Sequence, residues 1–192
     1  MPQTSLDVSI RARVISAAAK VFARRGFQDA TVREIAAEAD LSTGAIYSNF
    51  DGKGDLFLAV LEEKIDPKLA VMYEATRAAP DQGVGARLDR EFAAYVRTQR
   101  RWLILLIEFW AQAARDPRLR PKFEERHAKL RAAIIEVLAE RAARLDAPLA
   151  LPAGQLATVL IALTNGMAVE QLADPGALPE GLYGRALDLL LG

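Results

Sequence analysis

The chain has 192 residues, with 25 Lys and Arg against 25 Asp and Glu, one His, no Cys, 12 Gly and 9 Pro. At about 100 to 200 residues per domain this is one compact unit or two small ones, and a 52% apolar composition can fill a core without staples. The missing Cys excludes disulfides, thiolate zinc sites, iron–sulfur clusters and cysteine nucleophiles. His127 alone excludes metal sites built on several imidazoles, so neither a metal nor a cofactor is expected. Zero net charge supplies no long-range field that would favour nucleic acid, a membrane surface or an acidic partner.

Met1 to Val8 has neither a basic n-region nor an apolar run, so a cytoplasmic location is expected. Between Asp146 and Glu170 there is no charge, yet Pro148, Pro152, Gly154, Gln155, Thr158, Thr164 and Asn165 interrupt the apolar run. What remains is shorter than the roughly 18 to 20 continuous apolar residues of a span, so a buried helix and no membrane partner is the reading.

Ile10, Val14, Ala18, Val21 and Phe22 recur at spacings of three and four, one apolar helix stripe. Gly26 stops that helix as a residue free to take positive φ, with Phe27 placed to fold back onto its last turn. Thr31 and Glu34 form a capping box for a second helix, whose Val32, Ile35, Ala36 and Ala39 turn inward. After the turn at Asp40 and Leu41, Ser42 caps a third helix reaching about Phe50, with Ile46 and Phe50 on its inner face. Two short helices joined by a three-residue turn are a helix-turn-helix. Leu56, Phe57, Val60, Leu61 and Ile65 carry the next stripe, which should break or kink at Asp66-Pro67 and restart toward Ala79. Pro80, Gly83 and Gly85 mark a loop. Beyond it the pattern predicts helices from about Ala86 to Arg101, Trp102 to Ala114 and Pro121 to Arg144, with a short turn started by Asp116-Pro117. Two more are expected from Pro152 to Leu172 and from Pro179 to Leu191. No run alternates like a strand and no repeat is evident, so the fold is read as all-α with about nine helices.

The stretch from Arg11 to Phe57 then carries a pattern: Ala18-Ala19 and Phe22, Arg25-Gly26-Phe27, Thr31-Val32-Arg33-Glu34-Ile35-Ala36, Leu41-Ser42-Thr43-Gly44-Ala45-Ile46-Tyr47-Ser48-Asn49-Phe50, and Lys53 with Leu56-Phe57. It resembles the DNA-binding domain of the TetR-type (tetracycline-repressor-like) transcriptional regulators. The resemblance implies a DNA-binding domain over residues 1–57 and a helical ligand-binding and dimerisation domain over 58–192, with no enzymatic activity. It further implies double-stranded operator DNA, a small-molecule effector and a second copy of the chain as partners.

On that reading the third helix enters the major groove, where Ser42, Thr43, Gly44, Ala45 and Ser48 are short enough for close approach to base edges, and Asn49 belongs to the same contact set. The resemblance puts Tyr47, Thr31 and Lys53 on phosphate and Arg33 beside the recognition helix as a candidate guanine contact. This sequence departs from the family pattern at Asp40, where Gly is usual and positive φ is needed, and at Gly54, which predicts a loose start to the fourth helix. Asp51 and Asp55 flank Lys53 and would oppose a phosphate.

Trp102 to Trp110 is apolar around the whole helix except for Glu108, which suits the centre of a bundle and makes Glu108 a candidate polar anchor in a pocket. The expected ligand-contacting set is Phe92, Tyr95, Val96, Leu103, Ile107, Glu108, Trp110, Phe123, His127 and Asn165, with core packing the plainer reading for each aromatic taken alone. Glu124 and His127 stand at a di-iron spacing, but the second His that motif needs is missing. Surplus apolar residues on the last two helices argue for self-association through Leu156, Val159, Leu163, Gly166, Ala173, Leu187 and Leu191.

The function expected is thus a ligand-responsive repressor that binds a palindromic operator as a homodimer and is released by a small, mainly apolar effector. The alternatives are a helical-bundle enzyme or carrier that has lost DNA binding, and a purely structural association module; no P-loop, nucleophile elbow or dinucleotide fingerprint supports catalysis. Residues 1–57 carry seven bases and seven acids, with five of the bases between Arg11 and Arg25.

Overall fold

The computed structural model describes residues 3–64 and 84–191. Among the described residues there are eight helices and no strand: α1 Gln3–Asp29, α2 Val32–Glu38, α3 Thr43–Tyr47, α4 Lys53–Lys64, α5 Val84–Arg115, α6 Arg120–Leu145, α7 Ala153–Ala173 and α8 Leu182–Leu191. The fold is all-α, as the periodicity predicts. The break at Asp66-Pro67, the restart toward Ala79 and the loop residues Pro80 and Gly83 lie outside the described residues. Contacts divide the chain into two compact units, Met1–Lys68 with Ile104–Phe123, and Leu69–Leu103 with Glu124–Gly192.

In the first unit α1 buries Val14, Ala18, Val21 and Phe22 on one stripe. The stripe ends at Gly26, whose φ of 82° leaves the helical region and turns the chain. Phe27 then stacks on Phe22 at 5.9 Å between ring centroids and meets Phe57 of α4 edge-on at 5.1 Å. Phe57 lies 4.8 Å from Phe109, which meets Phe123 at 5.6 Å. These five rings are one continuous cluster, each contact worth about 0.5–1.5 kcal/mol beyond the area it buries. The amide of Phe27 donates to Glu108 Oε2 at 2.9 Å, so the polar exception in the apolar stretch satisfies a backbone donor that the turn exposes.

Three expectations for this region are corrected. No break separates Arg101 from Trp102: α5 runs unbroken for 32 residues. Nothing in its interior could end it, since past Gly85 it contains neither Gly nor Pro. The change of pattern at Trp102 reflects a change of surroundings, because residues up to Leu103 belong to the second unit and those from Ile104 to the first. Nor is Trp102 to Trp110 buried all round. Leu103, Leu105 and Phe109 face inward while Ile104 and Ile107 are exposed. The start of α4 is also not loose: Gly54 is buried, and a Cβ there would overlap the Leu119 side chain.

The second unit builds its core from Leu88, Phe92 and Val96 of α5, Ile134 and Leu138 of α6, Leu156, Leu160 and Ile161 of α7, and Tyr183 and Leu187 of α8. Among the described residues α7 has the length and apolarity to cross a membrane, with a mean hydropathy of 1.4; Leu156, Ala157, Leu160, Ile161, Thr164 and Ala168 bury one side of it in the core of the unit. Where α5 meets α8, two nearly identical pentapeptides face each other: Gly85-Ala-Arg-Leu-Asp89 and Gly184-Arg-Ala-Leu-Asp188. Gly85 N donates to Asp188 at 2.9 Å and Gly184 N donates to Asp89 at 3.1 Å. Each helix thus caps an amide in the first turn of the other, with Leu88 and Leu187 buried beside the crossing. A Cβ on either glycine would run into the backbone of the other.

This crossing predicts that Gly184→Ala lowers the unfolding free energy by about 1–3 kcal/mol in urea titration. Gly154→Ala in α7, where a new Cβ would meet nothing nearer than 3.9 Å, should be neutral or raise it by up to about 1 kcal/mol. Equal effects at the two sites would contradict the crossing.

Candidate nucleic-acid interface

The geometry of the helix-turn-helix follows from its caps. Thr31, in extended backbone, accepts from Glu34 N at 3.2 Å, while Glu34 Oε2 accepts from Thr31 N at 3.1 Å and from the Thr31 hydroxyl at 3.0 Å. The capping box is complete. These bonds, first the Thr31 hydroxyl and then its amide, with Arg25 assisting, hold the Glu34 carboxyl below the usual carboxylate range. At the far end of α2, Asp40 takes φ of 53°, Asp40 N donates to Ala37 O at 3.2 Å, and Leu41 N donates to Ala36 O at 2.9 Å. That is a Schellman closure with Asp in the position usually held by Gly. Ser42 then accepts from Ala45 N at 3.2 Å and starts α3.

As a helix α3 is shorter than expected and ends at Tyr47. Ser48 Oγ donates to Ala45 O at 2.9 Å, and Asn49 Nδ2 donates to the same carbonyl at 3.1 Å, closing the helix with side chains. Ile46 and Phe50 point into the core. Ser42, Thr43, Gly44, Tyr47, Ser48 and Asn49 are exposed and Ala45 is half-buried. Tyr47 is 59% exposed, which removes its alternative role of closing a small core.

The basic run of α1 is spent on holding this unit together. Lys20 and Arg24 reach Glu38 at 3.4 Å, and Arg25 reaches Glu34 at 3.1 Å. Arg13 donates to Ala39 O at 2.7 Å, and Arg11 lies 4.8 Å from the centre of the Phe50 ring. Lys53 donates to Gln28 O at 2.7 Å over the face of Phe27, and burial pushes its ammonium down while Asp29 draws it up. Arg33 is different: it is exposed, and among the described residues no acid, carbonyl or ring holds it. Asp51 and Asp55 face Lys122, which donates to them at 2.6 Å and 2.8 Å; those two bonds push the Lys122 ammonium up. Sequence reasoning missed Lys122, because no spacing links a residue of α6 to the start of α4. A cleft of about 520 Å³ lies beside this clamp, lined by Phe27, Lys53, Asp55, Gln112 and Asp116 among others.

Beyond Phe27 and Lys53, the expectations for ligand and dimer residues divide. None of the ten expected ligand residues lines that cleft. Ile107, Glu108, Trp110 and Phe123 belong to the first unit, and Phe92, Tyr95, Val96, Leu103, His127 and Asn165 to the second. Glu108 already serves the Phe27 amide. Phe92, Val96 and Leu103 are buried, and Phe92 stacks on Tyr183 at 4.2 Å. Of the expected dimer residues, Leu156 and Leu187 are 0% and 3% exposed in the core of their own unit, which takes them off any free face. Leu163 and Leu191 are half-buried. Val159, Gly166 and Ala173 are exposed, and with Ala162 and Val169 they form an uncharged second stripe at spacings of three and four.

Comparison with known proteins places this geometry. Residues 14–60 match the model of the tetR family of bacterial regulatory proteins, and residues 86–191 match that of the C-terminal part of BetI-type transcriptional repressors. A helix-turn-helix transcriptional repressor of Streptomyces coelicolor is 32% identical over 160 residues, covering 81% of this chain and 76% of its own. The repressor AcnR of Corynebacterium efficiens is 28% identical over 187 residues, covering 95% and 91%. Among solved structures, the multidrug binding protein EbrR complexed with imidazole superposes with a TM-score of 0.69 at 26% identity, covering 94% of this chain and 88% of that one.

The capping box is directly testable. Thr31→Ala should cost about 0.5–2 kcal/mol of stability, and the Glu34 titration followed by NMR should move up toward 4.5. Because the folded value is depressed, the Glu34 contribution is present above about 4.5 and is lost as pH falls through the folded value. An unmoved Glu34 titration in the variant would contradict the box.

Proposed function

The chain belongs to the tetR family of bacterial regulatory proteins, whose members are DNA-binding transcriptional regulators and not enzymes, and from that premise we propose that it is a cytoplasmic repressor acting as a homodimer on a palindromic operator. A small, mainly apolar effector releases it. The observation that carries the DNA-binding part is the division of labour among the bases of the head. Arg11, Arg13, Lys20, Arg24, Arg25 and Lys53 hold helix ends, acids or rings, whereas Arg33 of α2 and Tyr47 of α3 are exposed, Tyr47 among short side chains. Thr43, Gly44 and Ala45 let backbone and base edges come close; Arg33 offers a planar donor pair suited to guanine. Thr31 and Tyr47 serve phosphate, and Lys53 reaches one by exchanging its bond to Gln28.

Homodimerisation is supported by the second stripe of α7, which leaves Val159 and Val169 on the surface, and by Leu189 of α8 at 84% exposed. A two-fold dimer would present two recognition helices about one DNA turn apart, which calls for two half-sites in opposite orientation. The similar multidrug binding protein EbrR, solved in complex with imidazole, supports a small-molecule effector.

Gel-shift titrations test the DNA contacts. Against its selected site, Arg33→Ala should weaken binding by about 5- to 150-fold and relax the requirement at one base pair per half-site. Tyr47→Phe should weaken all sequences alike and leave the salt dependence unchanged, because a phenol neutralises no phosphate charge. Binding that survives both substitutions unchanged would place the interface elsewhere, and salt-insensitive or absent binding would remove the regulator reading.

A further inference from the structure

The side of α6 that sends Ile134 and Leu138 into the second unit's core also carries Arg141. Arg141 follows Leu138 by three residues and Ile134 by seven, so the three share one stripe. It is 3% exposed. Its Nε and Nη1 are closed off from solvent and, among the described residues, meet no hydrogen-bond acceptor. A guanidinium does not shed its proton in a protein, and a buried charge without a counter-charge is among the costliest features a fold can hold.

The charged side chains buried to this degree among the described residues are Arg126 and Arg141, both cations. Asp89 and Asp188 of the same unit are committed to the amides of Gly184 and Gly85. Thr164 and Tyr183, the hydroxyls of the core, bond each other at 2.9 Å. Ile134 and Leu138 of the stripe share their core with Leu156, Leu160 and Ile161. A lone cation in an apolar interior matches a molecule with an anionic head and a hydrocarbon body.

We propose that Arg141 anchors the anionic oxygen head, carboxylate or phosphate, of an amphipathic effector whose apolar body lies along Ile134 and Leu138. This rests on reading the chain as an effector-responsive regulator, and it gives that effector its polar end. Binding supplies the acceptors that the guanidinium lacks in the free protein.

Thermal unfolding of the full chain tests it. Saturated alkanoates of increasing length, alkyl phosphates of the same lengths and the matching uncharged alkanols are titrated in parallel. At least one anionic series should raise Tm saturably at concentrations where the alkanols leave it unchanged, and the series that does so identifies the head. Arg141→Met, close in length and uncharged, should melt no lower than the parent and bind the anion about tenfold or more weakly. Arg141→Lys, which keeps the charge with fewer directed donors, should retain part of the affinity. Alkanols as effective as the anions, no response to any anion, or an undiminished response in Arg141→Met would each overturn the proposal. Retention of genomic DNA by the same preparations separates the two readings. A protein that selects a DNA sequence but ignores the anions loses only the Arg141 anchor, whereas one that selects none loses the regulator reading beneath it.

Discussion

The left-handed turn at Gly26 decides where Phe27 goes, and Phe27 joins the parts of the first unit. Its ring enters the cluster with Phe22, Phe57 and Phe109, while its amide, released from the α1 ladder by the turn, donates to Glu108. An apolar contact and a charge-assisted hydrogen bond are therefore satisfied by one residue in one conformation. Any side chain at position 26 would be held at a positive φ, so the turn favours glycine, while a Cβ there would meet the Glu108 carboxylate at an ordinary contact distance of 3.5 Å. The cap of α1, the packing of α4 and the inward register of residues 104–123 all depend on that turn.

Charge in this unit obeys a similar economy. A base run that looks in sequence like a DNA-binding strip is largely consumed within the fold, against Glu34, Glu38, the carbonyl of Ala39 and the ring of Phe50. Two acids that look unfavourable to DNA, Asp51 and Asp55, are instead held by Lys122. The free Arg33 gains importance from this accounting. Zero net charge is compatible with DNA binding when a few exposed groups do the recognition and a second copy doubles them.

Local order was largely legible in sequence, and long-range partnership was not. Thr31, Glu34 and Ser42 announce their caps because both partners sit within three residues of each other. Gly26 and Asp40 announce their turns because only residues tolerant of positive φ belong there. Glu108 was read as a pocket anchor because its partner, the Phe27 amide, lies 81 residues away and carries no residue-type signal. Lys122 was invisible for the same reason. The unbroken α5 looks like two helices in sequence because a switch in hydrophobic pattern resembles a helix boundary when it is a change of neighbours. One long-range signal was present and missed: the matched pentapeptides at Gly85 and Gly184, which meet in space with their glycines and aspartates paired. Leu156 and Leu187 were placed on a dimer face because periodicity shows that a residue is apolar and not which of two partners will cover it.

Sequencing the genomic fragments retained by the purified protein, across a series of salt concentrations, measures the central claim most directly. The account predicts a discrete, inverted-repeat sequence with half-sites about one helical turn apart, lost steeply as salt rises. Recovery of unrelated fragments with no common sequence, or retention indifferent to salt, would contradict it.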